Sequence, residues 1–333
     1  MPDGAGAAGG PAPDRVLWLS RDDVTAALPP LDERFARIRD SLEWVPEGRA
    51  EVPPKFGVHP PGARHAHAMP ALLPDNRGLG IKWLADFPKN KSLGLPTVPA
   101  IIVLNDPRNG MPLAVMDGTV ITAVRTAAVT AVSLAVCARP AAAVAAIIGA
   151  GVEGRTHLEA LPHVLPSLVR VWVVGREAPS AERLCAEMAP HVRPALVPTA
   201  NREEAVRDAD VVVTVTTNTT TPLLEMEWLK PGVTAVVLDN GGKETAILHR
   251  VDRVLVDDRK PFATPEVLAR FSTGVPPIAA EIGEVLLGRA AGRTSDRERI
   301  LVLNLGIASC DIVLAAAVYE RAGALGRGTR VPL

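Results

Sequence analysis

Cysteine is scarce: Cys137, Cys185 and Cys310 are the only three in 333 residues, far apart and odd in number. With no Cys-x-x-Cys pair, neither a disulfide framework nor a zinc site is indicated, and no metal site is expected. Aromatic residues make up only 3% of the chain, too few for the stacking platforms of single-strand nucleic-acid binders. An excess of one charge is also missing. The formal net charge of −1 supplies no bulk basicity to attract nucleic acid or an anionic membrane. No unbroken apolar run reaches membrane-spanning length, because the stretch around 127–152 is interrupted by Arg139-Pro140 and by glycines. Residues 1–13 are rich in Gly, Ala and Pro and carry neither a basic nor an apolar signal region, so they are expected to form a disordered lead-in. A cytoplasmic globular protein of about two domains is the expectation, with 47% hydrophobic residues available for its cores.

The stretch that organises the rest is Ala145-Ala146-Ile147-Ile148-Gly149-Ala150-Gly151-Val152-Glu153-Gly154. A small apolar run enters Gly-x-Gly-x-x-Gly and continues into a helical pattern, which predicts a buried strand, a tight turn and a helix. Gly149 allows the sharp turn, Gly151 lets the backbone approach a pyrophosphate, and Gly154 allows the helix to pack closely on the strand. The helix start attracts the anion through its free N–H groups and positive dipole end. The alternative is a glycine-rich turn between packed elements.

Upstream, helical spacing covers residues 31–44, and short strand-like runs with Pro and Gly turns cover residues 50–115. Asn105-Asp106-Pro107-Arg108-Asn109-Gly110 fits a hairpin turn, and an antiparallel sheet is the simplest reading of this half. Residues 119–136 read as one helix rich in Ala and Val that carries Arg125. Beyond Gly154, strands at 169–174, 210–215, 233–238, 251–256 and 300–304 alternate with helices at 178–188 and 202–209, and a last helix covers 308–322. That alternation predicts a doubly wound parallel α/β sheet. The expected division is residues 14–130 plus 305–333 as a substrate-binding and dimerisation domain, with 131–304 as a Rossmann dinucleotide-binding domain.

Several residues are candidates for chemistry. The second strand ends in Gly175 and Arg176 where a carboxylate would read an NAD ribose, so NADP is favoured over NAD, unless Arg176 is an ordinary surface cation. Thr214 and Thr216 lie at the carboxyl end of a strand, the edge where ligands bind in open α/β sheets, although β-propensity alone also explains them. Lys82 stands between Ile81 and Trp83 in a strand, and Arg125 interrupts a small apolar helix. Arg is suited to gripping a carboxylate with two parallel hydrogen bonds, and the alternative is a solvated or structurally paired cation. Lys55 and His67 are weaker candidates of the same kind. Asp239 follows another strand and either handles protons near the cofactor or opens an Asx turn before Gly241-Gly242.

Gly80-Ile81-Lys82-Trp83, Phe87-Pro88-Lys89-Asn90, Ile121-Thr122-Ala123-Val124-Arg125-Thr126, the glycine turn, Gly292-Arg293-Thr294-Ser295-Asp296 and Asn304-Leu305-Gly306-Ile307-Ala308 occur in that order. On these motifs the chain resembles the ornithine cyclodeaminase/mu-crystallin family from about Leu17 onward. The resemblance implies a homodimer, an N-terminal domain completed by C-terminal helices, and NADP or NAD as cofactor. It implies Lys82 and Arg125 as ligands of a substrate carboxylate, Met69 as a pocket residue and Asp239 as the catalytic carboxylate, with Lys82 also taking part in catalysis. Thr126, Gly149, Gly151, Val152, Glu153, Gly154, Arg176, Thr214 and Thr216 become the candidate cofactor contacts. Two departures stand out. Lys55 occupies the place of a family Arg and loses its bidentate geometry, and Thr234-Ala235-Val236-Val237-Leu238-Asp239 lacks the Asn and Gly of the cyclodeaminase stretch Asn-Ala-x-Gly-x-Asp. The implied activity is therefore an oxidoreductase at the Cα–N bond of a small amino or imino acid. An ornithine- or lysine-type cyclodeaminase and a mu-crystallin-like NADPH-dependent binding protein are the alternatives.

Overall fold

The computed structural model describes residues 15–216, 221–238 and 241–333. Its strands are β1 (Arg15–Leu19), β2 (Phe56–Val58), β3 (His65–Leu72), β4 (Leu79–Asp86), β5 (Ala100–Asn105), β6 (Pro112–Asp117), β7 (Val144–Ile148), β8 (Arg170–Val174), β9 (Ala195–Thr199), β10 (Val211–Thr214), β11 (Thr234–Val237), β12 (Arg253–Val256), β13 (Ala280–Glu281), β14 (Ile300–Leu303) and β15 (Thr329–Pro332). The helices are α1 (Arg21–Ala27), α2 (Leu31–Trp44), α3 (Gly118–Cys137), α4 (Val152–Val164), α5 (Ala178–Met188), α6 (Arg202–Asp208), α7 (Pro265–Leu268), α8 (Ile282–Leu286) and α9 (Ala308–Ala324).

The second sheet runs β13-β12-β14-β11-β10-β7-β8-β9, and every pairing in it is parallel. Its strands are short runs of Val, Ile, Leu and Ala, and β10, β11 and β14 are buried at every position, as strands covered on both faces require. From β7 the chain proceeds outward to β8 and β9, then returns to the other side of β7 for β10 and β11. The strand order therefore reverses between β7 and β10, where Ile148 pairs with Thr214, and a crevice opens at the carboxyl ends of these two strands. Strand β9 contains Pro198 and was not anticipated. It lies at the sheet's edge, where a missing N–H breaks no ladder.

The first sheet runs β15-β1-β6-β5-β4-β3-β2. The hairpin between β5 and β6 forms as anticipated, and β2 to β6 pair antiparallel throughout, as read for residues 50–115. Strand β1 joins β6 in parallel, because the chain leaves β1 through α1 and α2 and returns only after four more strands. The unanticipated β15 closes the edge, antiparallel to β1. Helix α1 starts at Ser20, which forms a capping box with Asp23. One face of this sheet is covered by α9, which packs on β3, β4 and β5 and also on α2 and α3. The other face leaves Trp18, Trp83 and Ile101 more than 40% exposed. Helix α3 is long and apolar enough to cross a membrane, but 67% of its most apolar window is buried against the rest of the protein, as in a core helix.

Candidate active site

The glycine turn forms the floor of the crevice. Gly149 has φ +139°, and a Cβ there would lie 2.7 Å from the carbonyl oxygen of Val215, on the facing strand end. A Cβ at Gly154 would come 2.2 Å from the carbonyl oxygen of Gly149, so the first turn of α4 packs against the turn itself. Around Gly151 the space is open: a Cβ would meet nothing within 4 Å. Gly151 is also the N-cap of α4 and offers no side-chain acceptor to its first N–H groups. A backbone held this tightly on one side and open on the other, with a bare helix N-terminus, fits a dinucleotide pyrophosphate. Val152 is exposed at the helix start, and Arg176 is exposed just beyond β8. Thr214 is fully buried, and its Oγ1 has no hydrogen-bond partner among the described residues. Thr216 follows β10, and the Thr126 hydroxyl donates to the Thr122 carbonyl within α3. Asp239 lies outside the described residues.

The cations from the front half act electrostatically on Glu153 at the start of α4. Lys82 lies on the α9-covered face of the first sheet and is 0% exposed, with Nζ 2.7 Å from Oδ1 of Asp311. Arg125 Nε donates to the same oxygen at 3.0 Å. Asp311, from α9, is itself 0% exposed, and its Oδ2 has no hydrogen-bond partner among the described residues. Because Arg125 meets Asp311 through Nε, the forked end of the guanidinium is left for a planar anion. Gly306, with φ +82°, makes room for it, since a Cβ at that position would stand 2.8 Å from Arg125 Nη1. Asp257 holds this turn by accepting the Gly306 N–H at 2.5 Å. Met69 pairs with Lys82 across β3 and β4 and is buried beside it. Lys55 donates from Nζ to the Leu305 carbonyl at 2.8 Å.

Electrostatics tie the two halves of the site together. Burial pushes the pKa of Lys82 down to about 7, Arg125 adds to the shift, and Asp311 opposes it. Burial, reinforced by Arg270, lowers Lys55 to about 8. Glu153 in the first turn of α4 is pushed up to about 8 by burial, and the charges pulling it back are those of Arg125 and Lys82. Its Oε2 is inaccessible and has no hydrogen-bond partner among the described residues, with His157 Nδ1 3.9 Å away, although the side chain as a whole is 32% exposed. The start of the glycine-turn helix and the two buried cations thus face one another. Packing of α3 along α4 enforces this, fixed by the fully buried His157, whose Nε2 lies 3.0 Å from Thr130 Oγ1. Ionisable groups buried at such cost, beside a crevice and with displaced pKa values, mark a functional site.

Sequence reasoning missed Asp311. Its signal was the one that exposed Arg125: a single charge in an otherwise small and apolar helical stretch, Ala308-Ser309-Cys310-Asp311-Ile312-Val313-Leu314. Asp257 was missed too, as was the ion pair of Arg270 with Glu266, whose carboxylate lies 3.3 Å from His67 Nε2. Their segments carry many charges, and only the fold distinguishes those that turn inward. Among the described residues no group of three or more His, Cys, Asp or Glu side chains is placed to hold a metal ion.

Comparison with known proteins agrees with this architecture. The chain is 36% identical over 318 residues to the nodulation efficiency protein NfeD of Rhizobium meliloti, covering 95% of this chain and 98% of that protein. Among solved structures it is similar to an archaeal alanine dehydrogenase dimer with bound NAD, at 31% identity and a TM-score of 0.86, covering 96% of this chain and 99% of that one. It is also similar to the Thermococcus litoralis Delta(1)-pyrroline-2-carboxylate reductase in complex with NADH and L-proline, at 29% identity and a TM-score of 0.85, covering 95% and 100%. The family model for ornithine cyclodeaminase/mu-crystallin proteins matches residues 19–325, and the chain belongs to that family.

Proposed function

We propose that Arg125 and Lys82 hold the carboxylate of a small amino or imino acid so that its Cα–N bond faces the cofactor seated over Gly149–Gly154. The chain is an NAD(P)-dependent oxidoreductase acting on amino or imino acids, as its family and its relatives indicate. When bound, the nicotinamide supplies or accepts the hydride at Cα. The protein's part is positioning: Arg125 grips through its free fork, Asp311 and Gly306 fix the guanidinium, and Lys82 adds a second positive charge. Reduction of a C=N bond also takes up one proton at nitrogen. Lys82, with a pKa of about 7, holds or releases a proton at Nζ near neutrality. Asp239, which follows β11 in the sequence, is the second candidate for that transfer.

One observation carries this reading: two buried cations on one buried carboxylate, facing the glycine-turn helix. Arg176 beyond β8 supports NADP as the preferred cofactor. The exposed face bearing Trp18, Trp83 and Ile101 supports a homodimer joined through the first sheet, and the alanine dehydrogenase structure is itself a dimer. The cytoplasm is the proposed location. The deciding assay follows NADPH absorbance and ammonia together for amino acids and for α-keto acids with amines. Stoichiometric cofactor turnover supports the reading, whereas ammonia release without net cofactor change identifies a cyclodeaminase. Arg125→Ala and Lys82→Ala should each cut turnover steeply while NADPH still binds, and wild-type rates in both would overturn the assignment.

A further inference from the structure

Strand β3 carries a second set of polar groups on the face that bears Lys82. His65 and His67 lie on that face beyond Met69, their rings stacked at 3.9 Å, and His67 is 2% exposed. The segment after β12 closes over them. Glu266, on α7, places Oε1 3.3 Å from His67 Nε2, and the same carboxylate oxygen is bonded by Arg270. The backbone of Arg270 is wedged against the loop after β11, where a Cβ on Gly242 would meet its carbonyl oxygen at 2.1 Å. This wall is therefore built from both halves of the chain, on the strand face that carries Met69 beside Lys82. Lys55 feels the charges of both Arg270 and Arg125.

We propose that Arg270, with His67 beside it, is the specificity determinant for the far end of the substrate, and that it receives a second carboxylate, making the substrate a dicarboxylic amino or imino acid. The inference rests on the oxidoreductase reading above and deepens it. His67 Nε2 approaches Glu266 Oε1 at 3.3 Å without an aligned hydrogen bond, so an alkyl side chain would leave it unsatisfied, a cost that a hydrogen-bonding substrate removes. A distal ammonium would face Lys55 and Arg270. The imidazoles respond to the same field: burial, with Lys55 and Arg270 adding to it, brings His65 to about 3 and His67 to about 4. They are neutral at physiological pH and donate or accept hydrogen bonds, and the cationic charge is carried by Lys55 and Arg270, with the carboxylates of Glu266 and Asp257 beside them. A distal carboxylate would meet His67 Nε2 and the N–H groups of Arg270 that Glu266 leaves over.

The test uses the full-length protein with NADPH and ammonia, comparing 2-oxoglutarate with 2-oxopentanoate and oxaloacetate with 2-oxobutanoate. Within at least one pair the dicarboxylate should be favoured in kcat/KM by about 10- to 100-fold, the usual effect of one charge-assisted hydrogen bond. Arg270→Gln should collapse that ratio toward one, and Arg270→Lys, which keeps the charge and loses the fork, should retain part of it. Thermal unfolding of each variant establishes that it is folded. A wild-type protein that turns over the monocarboxylic imines equally well or better overturns the distal-carboxylate assignment and leaves the oxidoreductase reading intact. A folded Arg270→Gln variant that keeps the wild-type ratio overturns that assignment in the same way. Absence of NADPH oxidation with every imine and with every amino acid in reverse overturns the reading beneath it as well.

Discussion

Lys82 and Asp311 form an ion pair that solvent does not reach: Nζ lies 2.7 Å from Oδ1 and both side chains are 0% exposed. One comes from a strand of the first sheet and the other from the helix that follows the second sheet, so the pair exists only once both ends of the chain have come together. Its carboxylate also holds Arg125, and its charge is the main influence keeping Lys82 protonated against burial.

The first prediction follows from that pair. Lys82 is cationic below its pKa of about 7, and the substrate carboxylate needs that charge. The kcat/KM should therefore fall as pH rises through about 7, with a further fall near the Lys55 value of about 8. Asp311→Asn removes the influence that raises Lys82, so the first fall should move to lower pH. Lys82→Arg, which stays charged, should abolish it. A kcat/KM that climbs with pH across this window in the wild type would show that neutral Lys82 is the working form. Asp311→Asn should also cost about 3–5 kcal/mol in a denaturant melt, because two buried cations lose their shared partner.

Glycine at 149 and 154 is required by space and backbone angle. Gly154→Ala places a methyl group 2.2 Å from the Gly149 carbonyl oxygen, and Gly149→Ala adds strain at φ +139° to a contact of 2.7 Å with Val215. Both variants should weaken NADPH binding by at least about tenfold, as measured by nicotinamide fluorescence, with a lowered melting temperature. Gly151→Ala meets no protein atom. Any loss of affinity it shows therefore reports approach of the cofactor itself, and unaltered affinity would remove the pyrophosphate from this turn.

Gly306→Ala separates the substrate from the cofactor. Its methyl group would press on Arg125 Nη1 at 2.8 Å, and φ +82° adds strain. KM for the carboxylate substrate should rise roughly tenfold, the scale of one weakened charge-assisted hydrogen bond, while NADPH affinity is retained. An unchanged KM would mean that Arg125 does not hold the substrate.

Arg176→Asp should reverse the NADPH preference by placing a carboxylate where the ribose 2′-phosphate is expected, measured as the ratio of kcat/KM values for NADPH and NADH. An unchanged ratio would leave Arg176 as a surface cation.

Trp83 is 43% exposed and pairs with the exposed Ile101 across β4 and β5. Trp83→Glu should convert a dimer to a monomer in light scattering, because it buries a charge in the proposed interface. A wild-type monomer at micromolar concentration would dispose of that interface.

Much of the nucleotide-binding sheet was legible because its determinants are local. Runs such as Val211-Val212-Val213 report strands buried on both faces, and the spacing of Gly149, Gly151 and Gly154 reports a turn whose geometry needs no partner. Lys82 and Arg125 were also visible, each as a charge in apolar company. Asp311 carried the same signal in α9 and was passed over, because nothing in sequence indicates that Arg125 donates to a carboxylate 186 positions away.

By itself, the sequence determined most of the strands and helices, the glycine turn and the presence of cations in apolar company, since periodicity, backbone freedom and charge among apolar neighbours are all written within a few residues. Only the tertiary structure decided that β1 joins β6 in parallel, that Asp311 binds Lys82 and Arg125, and that Glu266 and Arg270 turn toward His67. Those outcomes depend on which distant surfaces exclude water together, and on the cost of leaving a buried charge alone, which no stretch of chain specifies before it has folded.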